Sequence, residues 1–336
     1  MALFDRYLFA DYSGAGENHH AQRSIRIYRA SGYGEPERIR HTVSNPQTGE
    51  PQNFSRNELC ARVIRELEDA SEAGDRVVFG FDHQYAWPSH LRQHAGVVDL
   101  DWRTALLTLS SGDLATGLPA LDIPSRYCAA FNQFCGNPVF WSPMHGTAEN
   151  YGIANLPLGI PPTQRFRLTE LMAPYNGNAQ PKPADEIGGR GSVAGQTICG
   201  IHQIARMLAD ETVAWWPFDG FDIASDNYHG KHVGVEIYPS ALRPHGIDQD
   251  DDNDAYHSCL YVRESDQNDE FAGVLTLVPP EHLQVQIEKE GWIVGMNPEG
   301  LFAYGGPTVE APLNQIDQLT RQLGELEPTV RELDAD

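Results

Sequence analysis

Apolar and polar residues alternate in short, strand-like runs near the start of the chain. Tyr7-Leu8-Phe9-Ala10-Asp11 is an apolar run that ends in an acid and a turn, Ser13-Gly14-Ala15-Gly16. Ser24-Ile25-Arg26-Ile27-Tyr28-Arg29 and Arg38-Ile39-Arg40-His41-Thr42-Val43 alternate strictly, as half-exposed strands do. Short links between the three predict an antiparallel meander. Residues 53–72 then switch to helical spacing through Leu59, Val63, Ile64, Leu67 and Ala70, with Ser55 as N-cap and Gly74 as stop. Arg76-Val77-Val78-Phe79-Gly80-Phe81-Asp82 is nearly all apolar, the look of a central parallel strand, and it too ends in an acid.

Residues 89–190 are rich in Pro, Gly and aromatics and predict one long insertion lying over the sheet edge as a lid, with helical pieces near 101–109 and 126–134. Order returns with a helix over 197–208 and a buried strand, His232-Val233-Gly234-Val235-Glu236-Ile237-Tyr238-Pro239. A helix follows Asp250-Asp251-Asp252-Asn253-Asp254-Ala255, another covers 281–289, and Gly291-Trp292-Ile293-Val294-Gly295-Met296 reads as a strand or strand-like hook. Leu313, Ile316, Leu319, Leu323 and Leu326 mark an amphipathic C-terminal helix, so 311–336 reads as that helix plus an acidic tail after a main domain spanning 1–310. The order predicts an α/β fold: a mixed five-stranded sheet with helices on both sides and the insertion after the fourth strand.

Such sheets place sites at the C-terminal edge of their parallel strands. Asp11 and Asp82 end two strands, which, if parallel neighbours, bring the carboxylates within about 5 Å. Glu236 lies near the end of the last strand. On a helix, Asp250, Asp251 and Asp254 share one face, at a helix start that favours carboxylates. Acids gathered in this way repel one another, and divalent cations relieve the repulsion. Oxygen donors alone favour Mg²⁺ or Mn²⁺, and two ions about 3.5–4 Å apart suit phosphodiester hydrolysis. Asp11, Asp82, Glu236 and Asp254 are the catalytic candidates, and these with Asp250 and Asp251 the metal candidates. Ser13, Gly14, Arg190 and Arg243 are candidates for holding substrate, although Arg243 equally suits an ion pair with Glu236. Arg165, Arg167 and Glu170 read as local ion pairs, and His83, His232, His245 and His257 as ordinary surface or core histidines.

These segments resemble domain-of-unknown-function family 429, described as predicted nucleases of the ribonuclease H-like fold. Asp11 in LFADYSGA, Asp82 in VVFGFDHQYAWP, Glu236 in GVEIYPSALRP and the acids of DDDNDAY carry the likeness. So does Gly191-Ser192-Val193-Ala194-Gly195-Gln196-Thr197 leading to Trp216-Pro217-Phe218. The likeness spans about residues 5 to 300. It implies a ribonuclease H-like sheet and a metal-dependent nuclease. Asp11, Asp82, Asp251 and Asp254 also match by position the metal-binding acids of Holliday-junction resolvases.

Charge narrows the substrate. The chain carries 47 Asp and Glu against 24 Lys and Arg, a net charge of -23 over 336 residues. Such a surface repels long polyanions and offers no basic groove for a duplex. The expected partner is therefore a short or structured nucleic acid or a nucleotide-like molecule. Two other readings remain: Asp11-Tyr12-Ser13-Gly14 resembles the first phosphate loop of actin-like ATPases and sugar kinases, and a non-catalytic acidic interaction protein keeps the fold without turnover. Five cysteines without a CxxC pair, no signal-peptide pattern at Met1-Ala2-Leu3-Phe4 and no run of about 18 apolar residues predict a cytoplasmic protein outside the membrane. The sequence leaves the oligomeric state open.

Overall fold

The computed structural model describes residues 2–12, 21, 24–111, 124–160, 162–172, 181–189, 192–244, 246–248 and 250–296. The elements in chain order are β1 (Arg6–Asp11), β2 (Arg26–Ser31), β3 (Glu37–Arg38), α1 (Arg56–Ala73) and β4 (Val77–Phe81). Then come α2 (Ser89–His94), α3 (Trp102–Ser111), α4 (Pro124–Cys135), α5 (His145–Tyr151), α6 (Pro162–Arg165) and α7 (Leu168–Met172). The chain continues through α8 (Ala194–Met207), β5 (Val213–Trp215), β6 (His232–Glu236), α9 (Pro239–Leu242), α10 (Asp251–Gln267), α11 (Phe271–Val274) and α12 (Glu281–Glu290). The proposed C-terminal helix and tail, 311–336, lie outside the described residues, as do Ser13, Gly14, Arg190 and His245.

The strands form one mixed sheet in the order β3-β2-β1-β4-β6-β5. β1, β2 and β3 pair antiparallel; β1–β4, β4–β6 and β6–β5 pair parallel. The central strand β4 is buried at all five positions, which explains its continuous apolar run. At Gly80 a Cβ would lie 2.6 Å from the Val235 carbonyl oxygen and 2.8 Å from the Phe9 ring, so the neighbouring strands leave no room for a side chain.

Two expectations about the sheet need correction. It has six strands, not five. β5 is only three residues long, too short for periodicity to distinguish it from a connection. β3 is two residues long, not the six of the alternating run 38–43. Beyond it, pairing with β2 continues only through Ile39, whose N–H bonds the Ile27 carbonyl at 2.9 Å. The segment after α12 does form a hook: Ile293 bridges Glu236 in parallel, and the Val294 N–H bonds the Glu236 carbonyl at 2.9 Å.

Local signals placed α1 correctly. Ser55 and Glu58 form a reciprocal capping box, with bonds of 2.8 and 3.3 Å, and Gly74 closes the helix at φ 77°. One sheet face packs on α1, α8 and the aromatics of the insertion. Trp87, Trp102, Tyr127, Phe131 and Phe140 share an apolar cluster with Phe79 and Trp215. The other face packs on α10 and the hook through Tyr7, Phe9, Val78, Val233, Val235, Cys259, Val262 and Trp292. Among the described residues, no helix is long and apolar enough to cross a membrane.

The close approach at Gly80 generates a stability prediction. Gly80→Ala lowers the unfolding free energy by about 1–3 kcal/mol through overpacking, measured by urea denaturation. An unchanged midpoint would mean that the strands separate freely there.

Candidate active site at the parallel strand edge

β1 and β4 are parallel neighbours with Ala10 opposite Phe81, so Asp11 and Asp82 leave the sheet at the same level. Strand alternation puts Asp11 on the face that carries Tyr7 and Phe9, toward α10. The two carboxyls are close enough to act on one another's protonation. The Tyr12 N–H donates to Asp82 Oδ1 at 2.5 Å, and the Gln196 amide donates to the Asp82 carbonyl at 2.8 Å and to Oδ2 at 3.3 Å. Asp82 keeps some contact with solvent in the cavity, yet protein surrounds it, and this burial lifts its pKa to about 7. Burial also pushes Asp11 well above the usual carboxylate range, and the charge of Asp82 adds to the effect. Among the described residues, no cationic side chain pairs with either acid.

α10 brings the remaining acids. Its N-cap is Asp250, whose Oδ1 accepts from the Asn253 N–H at 2.8 Å. Asp252 holds the helix start to the sheet, accepting from Arg26 at 2.9 Å, Tyr28 at 3.1 Å and, through a second arginine, Arg38 at 3.1 Å. Near the other end of the same helix, buried Asp266 accepts from the Leu3 N–H at 2.8 Å, the Phe4 N–H at 3.0 Å and the Tyr7 hydroxyl at 2.8 Å. Fastened at both ends, α10 holds Asp254 and Asp251 near enough for their charges to raise Asp11 further. The Asp254 carboxylate is bound by Arg243. Burial raises the Asp254 pKa, and the Arg243 charge draws it back.

Glu236 meets a different fate. It is opposite Phe81 on β4 and therefore projects to the face opposite that of Asp11 and Asp82. There it accepts from Arg167 Nη1 at 2.7 Å, from Arg167 Nη2, and from the Tyr85 N–H at 3.0 Å. Arg167 is 0% exposed and also donates from Nη2 to Glu170 at 2.9 Å and from Nη1 to the Glu290 carbonyl at 3.1 Å. The expected Glu236–Arg243 pair is thus replaced by Glu236–Arg167 and Asp254–Arg243. Glu236 still borders the same cavity as the other acids, but its carboxylate is already neutralised.

Arg165 likewise forms a local pair, with Asp185 at 2.8 Å. His83 is buried and uncharged, its pKa pushed down to about 3 by burial. Its ring lies flat against α8 where a Cβ on Gly200 would come within 2.4 Å. His232 is bonded to Ser71 at 2.8 Å and accepts from the Val77 N–H at 3.1 Å.

A cavity of about 1200 Å³ opens over these groups. Asp11, Asp82, Asp250, Asp251 and Asp254 line it together with Thr147, Asn150 and Lys182 of the insertion and with Ser192 and Gln196 near the start of α8. Among the described residues, no three His, Cys, Asp or Glu side chains are already gathered around one metal-sized point. The donors that do converge are carboxylate oxygens with too little positive charge beside them, which suits a hard divalent cation. No protein-family model, curated protein or solved structure matches the chain.

Sequence reasoning missed Arg167, Asp252 and Asp266 as the groups that build the site. Asp266 had a signal: it continues the buried stripe Ala255, Cys259, Val262, where an acid is out of place unless it is bonded.

Two predictions concern the metal-free protein. Asp82 binds its proton more tightly folded than unfolded, so its contribution to stability is complete below about pH 4 and is lost as pH rises through about 7. Asp82→Asn removes that part of the pH dependence, read from urea midpoints between pH 4 and 8. Arg167→Met leaves two buried carboxylates, Glu170 and Glu236, without their cation and costs about 3–5 kcal/mol, measured in the same way.

Proposed function

We propose that the chain is a divalent-metal-dependent phosphodiester hydrolase of the nuclease type, built on a ribonuclease H-like sheet. The observation that carries this reading is the Asp11–Asp82 pair. Two carboxylates are held level on adjacent parallel strands at the edge where such sheets place their sites, and among the described residues neither has a cationic partner. Structural acids are ordinarily arranged otherwise in this same molecule, as Glu236 and Asp266 illustrate with their full sets of donors.

Asp11, Asp82 and Asp254 would hold Mg²⁺ or Mn²⁺, with Asp250 and Asp251 flanking. Glu236 leaves the ligand set because Arg167 occupies it. When bound, a pair of such ions activates a water and stabilises the leaving oxygen of a phosphodiester. The chain's own groups do the rest. Gln196 and the Tyr12 N–H fix the orientation of Asp82. Asp11 is within reach of the charges of Asp82, Asp251 and Asp254, and its two oxygens could serve ions shared with both strand and helix. Lys182 and the start of α8, a 14-residue helix whose N-cap Val193 makes no side-chain cap bond, line the same cavity as the acids. These are the groups that would take the non-bridging oxygens of a phosphate.

The acidic wall and the net charge of -23 limit the substrate to one that is carried in with its cations. A short or structured nucleic acid or a nucleotide-like phosphodiester fits this requirement and the size of the cavity; a long duplex does not.

Titration with Mg²⁺ and Mn²⁺ in the presence of labelled oligonucleotides and dinucleotides tests the reading. Metal-dependent cleavage is expected, with Asp11→Asn reducing it by about a hundredfold or more and abolishing the rise in melting temperature that Mn²⁺ gives the unmutated protein. Cleavage that survives Asp11→Asn would place the activity elsewhere. Tight ATP binding without cleavage would favour the kinase-like alternative, and neither binding nor cleavage would favour an acidic interaction protein.

A further inference from the structure

The molecule contains two arginine–carboxylate pairs at this sheet edge, and they differ in kind. Arg167 is wholly buried and divides its donors among Glu170, Glu236 and the Glu290 carbonyl. Arg243 follows the short helix α9 and holds Asp254 Oδ1 through Nη1, with its side chain 13% exposed and that of Asp254 12% exposed. Asp254 borders the cavity, so this second pair lies where water and ions reach it. Ion pairs in contact with solvent are weak, whereas a buried pair cannot open without leaving a charge stranded.

The position of the weak pair matters. Asp254 is the α10 acid whose charge reaches both Asp11 and Asp82. Its carboxylate is also the one beside the strand acids that already carries a positive partner, while Asp11 and Asp82 have none among the described residues. A third carboxylate is therefore close to the strand pair but turned to an arginine, and among the described residues no three acids surround one metal-sized point.

We propose that Arg243 is an exchangeable counter-ion. Its guanidinium holds Asp254 while the cavity lacks a divalent cation, releases it when one binds, and then turns its positive charge to the anionic substrate. The inference rests on the metal-binding reading above and adds to it an order of events. A monovalent guanidinium at the cavity wall, partly rather than wholly buried, gives way to a divalent ion shared among several carboxylates. The released charge enters a cavity otherwise dominated by acids just as a phosphate requires it.

Isothermal titration of the full chain with Mn²⁺, at fixed ionic strength, compares the unmutated protein with Arg243→Gln and Arg243→Lys. Arg243→Gln removes the competitor and is expected to bind Mn²⁺ about tenfold more tightly; Arg243→Lys keeps a cation and stays near the unmutated value. A merely structural Arg243 would give the reverse, with weaker binding in the Gln variant. A second readout needs no loss of the arginine. In the unmutated protein, the ¹⁵Nε resonance of Arg243, identified by its absence from Arg243→Lys, moves as Mg²⁺ saturates. An unmoved resonance, or Mn²⁺ affinity that is unchanged or weaker in Arg243→Gln, overturns the exchange while leaving the metal site standing. If the unmutated protein binds neither Mn²⁺ nor Mg²⁺, the exchange and the metal reading fall together.

Discussion

Repulsion between two carboxylates is the constraint on which the site depends. The parallel register of β1 and β4 holds Asp11 and Asp82 level, and neither can move away without unzipping a strand buried at every position. Burial and mutual charge both favour the protonated form, so the metal-free pair retains protons at pH values where carboxylates are ordinarily ionised. A sheet does not pair acids in this way for stability. Elsewhere the molecule supplies buried acids with donors, as Asp266 and Glu290 illustrate: Asp266 has two N–H groups and a hydroxyl, and Glu290 a serine, a glutamine and an N–H.

α10 converts that strand pair into a wider site. Its acidic first turn has two separate duties. Asp252 faces the arginines of β2 and β3 and anchors the helix, while Asp250, Asp251 and Asp254 face the cavity. Consecutive residues on a helix point about 100° apart, so one acidic run serves the sheet with one member and the cavity with the others. The run looked uniform as a sequence, yet its members are not interchangeable.

Much of this was legible beforehand. Asp11 and Asp82 each followed an apolar run, and the capping box of α1 and the buried character of β4 were written in adjacent residues. What depended on pairing register was hidden. Glu236 looked equivalent to the other strand-ending acids, but whether it shares their face turns on its being opposite Phe81 rather than Asp82, one residue of offset that no local pattern encodes. The choice between Arg167 and Arg243 as its partner was hidden for the same reason, because one lies 69 positions away across an irregular insertion. β5 escaped notice because three residues carry too little periodicity.

The buried Arg167 cluster has a mechanical consequence. It ties the insertion at α7, the internal strand β6 and the end of α12 to a single guanidinium. Swinging that part of the roof away from the sheet would strand a positive charge and two carboxylates in a medium that cannot solvate them. The roof near α7 therefore behaves as a fixed vault and not as a hinged door, and molecules that reach the acids must be narrow enough to pass beneath its rim.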